Sequence, residues 1–155
     1  MGYNIIDLID KAIDIANRER KIYEDIGKEH CSIPPIKIMS KVLITHVGKD
    51  IKYLEDLKNN LMNVEIEDID FEIYDKMSFL INQFNKKVYV KKIVSTRDFL
   101  EFSLNFQRDV YSLLIDLQGR SVKSTNDVKT RTYKTLSNMI NNAADHITVL
   151  EKTLK

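Results

Sequence analysis

The sequence predicts an all-α protein, a four-helix bundle made of two antiparallel helical hairpins. Along four long stretches, apolar residues recur at spacings of three and four, which is the pattern of a helix with one buried face. The chain of 155 residues contains only 4 Gly and 2 Pro, too few for the many turns of a β-sandwich or barrel. A long segment separates the second stretch from the third, so the two pairs of helices are joined by a crossover.

The first hairpin is predicted from Tyr3 to Met62. Its first helix runs from Tyr3 to Glu29, and its inward stripe is Ile5, Ile9, Ala12, Ala16, Glu19, Tyr23 and Ile26. Pro34 and Pro35 interrupt the chain there, because proline is tolerated only at the start of a helix. The second helix therefore runs from about Pro35 to Met62, with the inward stripe Leu43, Val47, Asp50, Leu54, Leu57 and Leu61.

The second hairpin is predicted from Ser95 to Leu154. Ser95 and Asp98 have the spacing of a capping box, and Gly119 marks the end of the third helix. The apolar face of this helix is Phe99, Phe102, Phe106, Val110, Leu113, Leu114 and Leu117. The fourth helix begins after the segment 124–127, and its stripe is Leu136, Ile140, Ala143, Ile147, Leu150 and Leu154.

The whole chain, residues 1–155, is predicted to form a single domain. The crossover between the hairpins, residues 63–94, is acidic at its start and basic at its end. Its middle, residues 73–84, has helical spacing and predicts a short extra helix, and residues 88–90 are expected to be extended. The basic end reads as a solvated edge in preference to a nucleic-acid patch. Two antiparallel hairpins with one long crossover make the second and third helices parallel, which is the ferritin-like connectivity.

Composition narrows the classes of function. The 24 Lys and Arg nearly cancel the 23 Asp and Glu, which removes the electrostatic argument for nucleic acid or an anionic membrane as a partner. No run of about 18 apolar residues and no signal peptide is present, so neither a membrane span nor secretion is expected. The single cysteine, Cys31, fits a reducing cytoplasm.

Four stretches resemble one family. Residues 12–23, 47–57, 93–109 and 143–150 resemble the four helices of the rubrerythrin-like branch of the ferritin-like di-iron carboxylate proteins. In that family two helices each supply one Glu and two supply Glu-x-x-His, so that carboxylates bridge two iron ions and imidazoles complete their coordination. The resemblance implies a ferritin-like bundle and, where the ligands are present, a non-haem iron oxidoreductase or peroxidase.

The ligand positions of that family fall mostly on residues that cannot bind iron. They correspond here to Ala16, Val47, Asp50, Gln107, Ala143 and His146. One histidine and one carboxylate do not supply the charge that two iron ions require. The resemblance therefore implies a degenerate site, no catalytic residue and no cofactor, in a protein that serves as a structural or interaction module.

Three alternatives remain open at this point. Glu19, His46 and His146 could form a displaced mononuclear iron or zinc site, since two imidazoles and one carboxylate suit either metal. The vacated metal chamber could instead bind a small molecule or a partner. A third expectation is a polar cluster of Asp50, Gln107 and His146, joined by Glu19, with Arg20 or Arg108 as further donors if either folds inward.

An association is also expected. Relatives of this kind commonly pair, and the acidic and basic halves of the crossover offer a charged surface for a twofold partner. The sequence therefore predicts a homodimer.

Overall fold

The computed structural model describes residues 2–154. Five α-helices and one 3₁₀ turn account for most of this range: α1 is Ile5–Glu29, α2 is Pro34–Leu61, α3 is Phe71–Lys87, α4 is Thr96–Arg120, the 3₁₀ helix is Thr125–Lys129 and α5 is Arg131–Leu154. The all-α prediction is confirmed, and α3 is the extra helix expected in the crossover. The predicted ends of the first two helices lie within one or two residues of the observed ones.

The starts of the helices follow from local hydrogen bonds. Asn4 caps α1 through a capping box in which its side chain accepts from Ile6 N at 2.9 Å and Asp7 accepts from Asn4 N at 2.8 Å. Pro34 and Pro35 open α2, where a missing N–H group costs nothing.

The second hairpin departs from the sequence prediction at its ends. Ser95 Oγ caps Asp98 N at 3.1 Å, but the Asp98 carboxylate accepts from Val94 N at 3.0 Å, so the reciprocal half of the box lies one residue earlier. The α4 helix continues through Gly119 to Arg120, and no residue of the described range has a positive φ there or elsewhere. Gly119 is therefore not a left-handed helix stop.

The predicted start of the fourth helix is corrected as well. The capping box of Ser124 and Asp127 begins only the short 3₁₀ helix, and α5 starts at Arg131 after the chain changes direction at Thr130, where the backbone is extended. A carboxylate from the crossover caps α5 from outside. Glu67 accepts from Arg131 N at 3.1 Å and from Thr132 N at 3.2 Å. A cap supplied by a distant residue cannot be found from local spacing.

Contacts between the helices give their directions. In the first hairpin, Lys58 near the end of α2 pairs with Asp10 near the start of α1 at 2.7 Å, so α1 and α2 are antiparallel. In the second, Gln118 of α4 donates to Ser137 Oγ near the start of α5 at 2.6 Å, and these helices are antiparallel too.

Two further contacts relate the hairpins to each other. Tyr23 of α1 lies 2.7 Å from Ser103 of α4, and Glu19 lies next to Gln107, so the residue number rises on one helix as it falls on the other. The α1 and α4 helices are therefore antiparallel. Since α2 is antiparallel to α1 as well, α2 and α4 run parallel, as the sequence predicted for the second and third helices.

The crossover is tied to the bundle at both ends. Ile69 N donates to Tyr3 O at 2.7 Å, and the rings of Tyr3 and Tyr74 stack with centroids 3.9 Å apart. Farther along, Phe84 packs edge-on against Phe106 of α4. These contacts place α3 against α4 with its apolar side turned inward.

A glycine permits the close approach of α1 and α2. A Cβ atom built on Gly27 would lie 2.5 Å from Ser40 Oγ and 2.9 Å from Ser40 Cβ, and Ser40 is held in place because its hydroxyl donates to Tyr23 O at 2.8 Å. The backbone of α1 can therefore pass this part of α2 only where the side chain is a hydrogen atom.

We expect Gly27→Ala to lower the free energy of unfolding by about 1–3 kcal/mol because it overpacks this contact. Gly48→Ala is the matched control, since a Cβ there meets no atom within 4 Å and removes a flexible glycine from a helix. It should be neutral or stabilise the protein by up to about 1 kcal/mol. Urea denaturation measures both, and equal stabilities of the two variants would contradict the close contact.

Candidate functional site

The centre of the bundle contains a buried carboxyl group whose two oxygens both accept hydrogen bonds from other side chains. Glu19 of α1 is 2% exposed. The Tyr23 hydroxyl donates to Glu19 Oε2 at 2.5 Å, and the Gln107 amide donates to Oε1 at 2.9 Å and to Oε2 at 2.8 Å. Tyr23 also lies 2.7 Å from Ser103 Oγ. We call Glu19, Tyr23, Ser103 and Gln107 the central network.

Helical spacing on two helices explains the central network. Glu19 and Tyr23 are four residues apart on α1, and Ser103 and Gln107 are four residues apart on α4, so each pair lies on one helix face. The antiparallel arrangement of α1 and α4 then brings the two pairs together. Every member is buried, and the network satisfies polar groups that would otherwise be unpaired in the core.

The environment changes the acidity of two members of the network. Burial raises the pKa of Glu19 to about 7; the bonds from Tyr23 and Gln107 lower it only in part, and the charge of Asp50 raises it further. Burial also raises the pKa of Tyr23, with a contribution from the Glu19 carboxylate, so the hydroxyl keeps its proton and remains a donor. Near neutral pH, Glu19 is therefore present in both its protonated and its ionised form.

A second carboxyl–amide pair joins α2 to α5 near the same level. Asn142 Nδ2 donates to Asp50 Oδ1 at 2.6 Å, and His146 Nε2 lies 3.8 Å from the same oxygen. Burial raises the pKa of Asp50 although His146 and the bond from Asn142 act against it. Asp50 is thus held by α5, and it acts on Glu19 through its charge.

This arrangement corrects the expected polar cluster. Gln107 bonds to Glu19 and not to Asp50, and Asp50 takes Asn142 as its donor because α5 lies beside α2. Neither predicted arginine folds inward: Arg20 Nη2 donates to Asn17 Oδ1 at 2.7 Å, and Arg108 pairs with Glu151 at 3.6 Å on the exposed side of the second hairpin. The expected cluster omitted Tyr23, Ser103 and Asn142. Helical spacing was the available signal, since Tyr23 follows Glu19 by four residues, Ser103 precedes Gln107 by four, and Asn142 comes directly before the inward Ala143.

The histidines of the proposed displaced metal site lie at the edge of this region. Burial lowers the pKa of His46, and the charge of His146 and that of Lys49 lower it further. His46, His146, Glu19 and Asp50 line one small cavity. Within residues 2–154, however, no three His, Cys, Asp or Glu side chains converge as ligands for a metal ion. The Glu19 oxygens face the donors of Tyr23 and Gln107 instead.

Apolar side chains occupy three of the positions at which the sequence resemblance would place metal ligands. Ala16, Val47 and Ala143 are 3%, 4% and 4% exposed and pack in the core. Two cavities remain around the central network, with volumes of about 40 and 20 Å³. Such volumes admit about one water molecule each, whereas a site for a small organic ligand needs hundreds of Å³.

Comparison with protein-family models, with curated proteins and with solved structures finds no match to this chain. In the part of the chain from Gly2 to Leu154, no helix combines the length and apolar character needed to cross a bilayer.

Proposed function

We propose that this chain is a ferritin-like, rubrerythrin-like bundle whose di-iron level has been rebuilt as hydrogen-bonded carboxyl–amide pairs, and that it acts as a non-catalytic structural or interaction module. The observation that carries the proposal is the central network. Both oxygens of the best-placed buried carboxylate, Glu19, accept hydrogen bonds from side chains of the protein. A carboxylate engaged in this way is not free to bind a cation.

The connectivity and the residue replacements support the same proposal. Parallel α2 and α4, joined by a long crossover, agree with the ferritin-like arrangement. Gln107 stands where the family has a glutamate. Its neutral amide donates a hydrogen bond to Glu19, whereas a glutamate at this position would bind iron. Asp50 with Asn142 makes an equivalent pair between the other two helices.

Two other functions are less well supported by the geometry. A metal-dependent oxidoreductase with a reduced or displaced ligand set needs free donors, and Glu19, Asp50 and Gln107 already bond to one another or to Asn142. A ligand in the vacated chamber needs space, and the cavities there have volumes of about 40 and 20 Å³. A cytoplasmic location belongs to the proposal, because the exposed thiol of Cys31 suits a reducing compartment.

Metal content tests the proposed loss of the di-iron site. Protein produced in medium supplemented with iron and zinc should contain well under one metal ion per chain by mass spectrometry. It should also show no oxidase or peroxidase activity. A His146→Ala variant is the matched control for a site that uses this imidazole. Stoichiometric iron that disappears in His146→Ala would overturn the proposal and favour the oxidoreductase.

Association into a homodimer is the second part of the proposal. Two acidic residues of the crossover already interact within the chain, since Glu67 caps α5 and Asp70 pairs with Lys123. The basic half, including Lys86 and Lys91, remains exposed. We expect light scattering at micromolar concentration to give about twice the chain mass of 18.1 kDa. A mass of one chain at all concentrations would exclude the dimer.

A further inference from the structure

A larger cavity lies outside the bundle centre, in a groove between α4 and the second half of the crossover. Its volume is about 420 Å³, compared with about 40 and 20 Å³ for the two central cavities. Its floor is apolar and consists of Leu80, Phe84, Ile93, Phe102, Phe106 and Leu113. This volume falls within the range of sites that bind small molecules and short peptides.

The two ends of the groove carry opposite charge. Because α3 and α4 are antiparallel, the start of α4 lies beside the end of α3, where Lys87, Lys91 and Lys92 line the groove. Asp109 and Asp116 line it toward the end of α4. Within the described part of the chain, none of these five residues forms an ion pair, so their charges are available to an occupant.

Two acidic residues, Asp98 and Glu101, also lie at the lysine end. Asp98 accepts a hydrogen bond from Val94 N, and Glu101 pairs with Arg97 at 3.2 Å. Because three lysines outnumber the two carboxylates and Arg97 offsets the charge of Glu101, the lysine end keeps a net positive charge. The groove thus offers a cationic end, an aromatic middle and an anionic end.

One wall of the groove presents backbone without partners. Residues 88–94 belong to no helix, strand or turn. Between residues 2 and 154, no group hydrogen-bonds to the backbone of residues 89–92. Tyr89, which also lines the groove, is 75% exposed. His30 Nε2 donates to Ile93 O at 2.6 Å and fixes the far end of this wall. Such a wall can form main-chain hydrogen bonds with an extended peptide.

We propose that this groove binds an extended peptide segment of another protein, with apolar side chains in its middle and opposite charges at its ends. The basic residue of the peptide faces Asp109 and Asp116, and its acidic residue faces Lys91 and Lys92. From Glu101 to Asp116, α4 rises roughly 22 Å at 1.5 Å per residue. An extended chain covers that length in about seven residues at 3.3 Å each. The groove is separate from the central network, so the proposal does not depend on the lost metal site.

Three capped heptapeptides test the proposal by NMR titration of the full chain. They are Arg-Ser-Leu-Ser-Phe-Ser-Glu, Glu-Ser-Leu-Ser-Phe-Ser-Glu and Arg-Ser-Leu-Ser-Phe-Ser-Arg, which share the apolar side chains, differ only in charge, and place the charged and apolar side chains on one face of an extended chain. We expect the first to bind about tenfold more tightly than the other two, since each of those places one like charge at an end of the groove. The shifted amides should include those of residues 89–92.

Charge reversal makes the test specific. K91E/K92E should weaken the mixed-charge peptide about tenfold and favour the doubly basic one, and D109K/D116K should favour the doubly acidic one. K41E, an exposed lysine on α2 outside the groove, should change nothing. Equal binding of all three peptides, no binding at millimolar concentration, or preferences that survive K91E/K92E would overturn the proposal. A dimer that K91E/K92E dissociates and that excludes the peptides would assign the groove to a second copy and overturn it equally. None of these results changes the expected metal content.

Discussion

Between pH 4.5 and pH 8, the difference in free energy of unfolding between Glu19→Gln and the native chain should shift by about 3 kcal/mol in favour of the variant. In the folded protein the pKa of Glu19 is raised from 4.5 to about 7. The unfolded chain therefore releases this proton first as the pH rises, and the folded protein loses stability relative to it. The loss is absent below pH 4.5, accumulates up to pH 7 and is constant above. The difference between a pKa of 4.5 in the unfolded chain and one of about 7 in the folded protein corresponds to about 3 kcal/mol.

Urea denaturation at several pH values between 4.5 and 8 measures this effect as the difference between Glu19→Gln and the native chain. Taking the difference removes the contributions of other titrating groups, such as Asp50, whose pKa is also raised. Glu29→Gln, at an exposed position near the end of the same helix, controls for the loss of one carboxylate from the chain. A difference that stays constant to within about 0.5 kcal/mol over this range would show that Glu19 is not a buried acid.

A double-mutant cycle on Glu19 and Gln107 should show strong non-additivity. Among residues 2–154, Gln107 supplies the one side-chain amide that donates to Glu19; Gln107→Leu removes it, and Glu19→Leu leaves it without its acceptor. Each single change should therefore cost about 1–3 kcal/mol because a buried polar group loses its partner. The double Leu variant should be nearly as stable as the native chain, since two apolar side chains of similar size replace both partners. The coupling energy should be at least about 1 kcal/mol.

The matched control is the same cycle on Asp50 and Gln107. Asp50 bonds to Asn142 and not to Gln107, and at pH 5 a protonated Glu19 does not respond to the charge of Asp50. At that pH, Asp50→Leu and Gln107→Leu should therefore add to within about 0.3–0.5 kcal/mol. Additive costs for Glu19 and Gln107 would contradict the central network. A large coupling between Asp50 and Gln107 would instead restore the cluster that the sequence analysis expected.

The sequence predicted which residues belong to the candidate site better than it predicted which of them bond to each other. Helical spacing placed Glu19, Tyr23 and Asp50 on inward stripes, and the family resemblance singled out Gln107, but neither identified Ser103 as a buried polar residue. Spacing within one helix does not fix the rotation of neighbouring helices to within one residue, and that rotation decides which donor reaches which carboxylate. For this reason Gln107 was assigned to Asp50 although it bonds to Glu19.

The groove lay outside what the sequence analysis could identify. Its acidic end comes from the later part of α4 and its basic end from residues 87–92, which local sequence patterns indicate to be an ordinary solvated edge. Only the antiparallel packing of α3 on α4 places Lys91 and Asp109 along one cavity. The sequence predicts that residues 88–90 are extended, and they form no helix or strand, but no periodic pattern at the end of the crossover indicates where it packs.

By itself, the sequence determined the helical class, the extents of α1 and α2, and the helix in the crossover. These follow from apolar periodicity, proline placement and capping residues, which act over a few neighbouring positions. The tertiary structure decided the cap that Glu67 supplies to α5, the close contact of Gly27 with Ser40, and the pairing of Glu19 with Gln107. Each of these joins residues far apart in the chain, and its energy depends on distances of a few tenths of an ångström that packing alone sets.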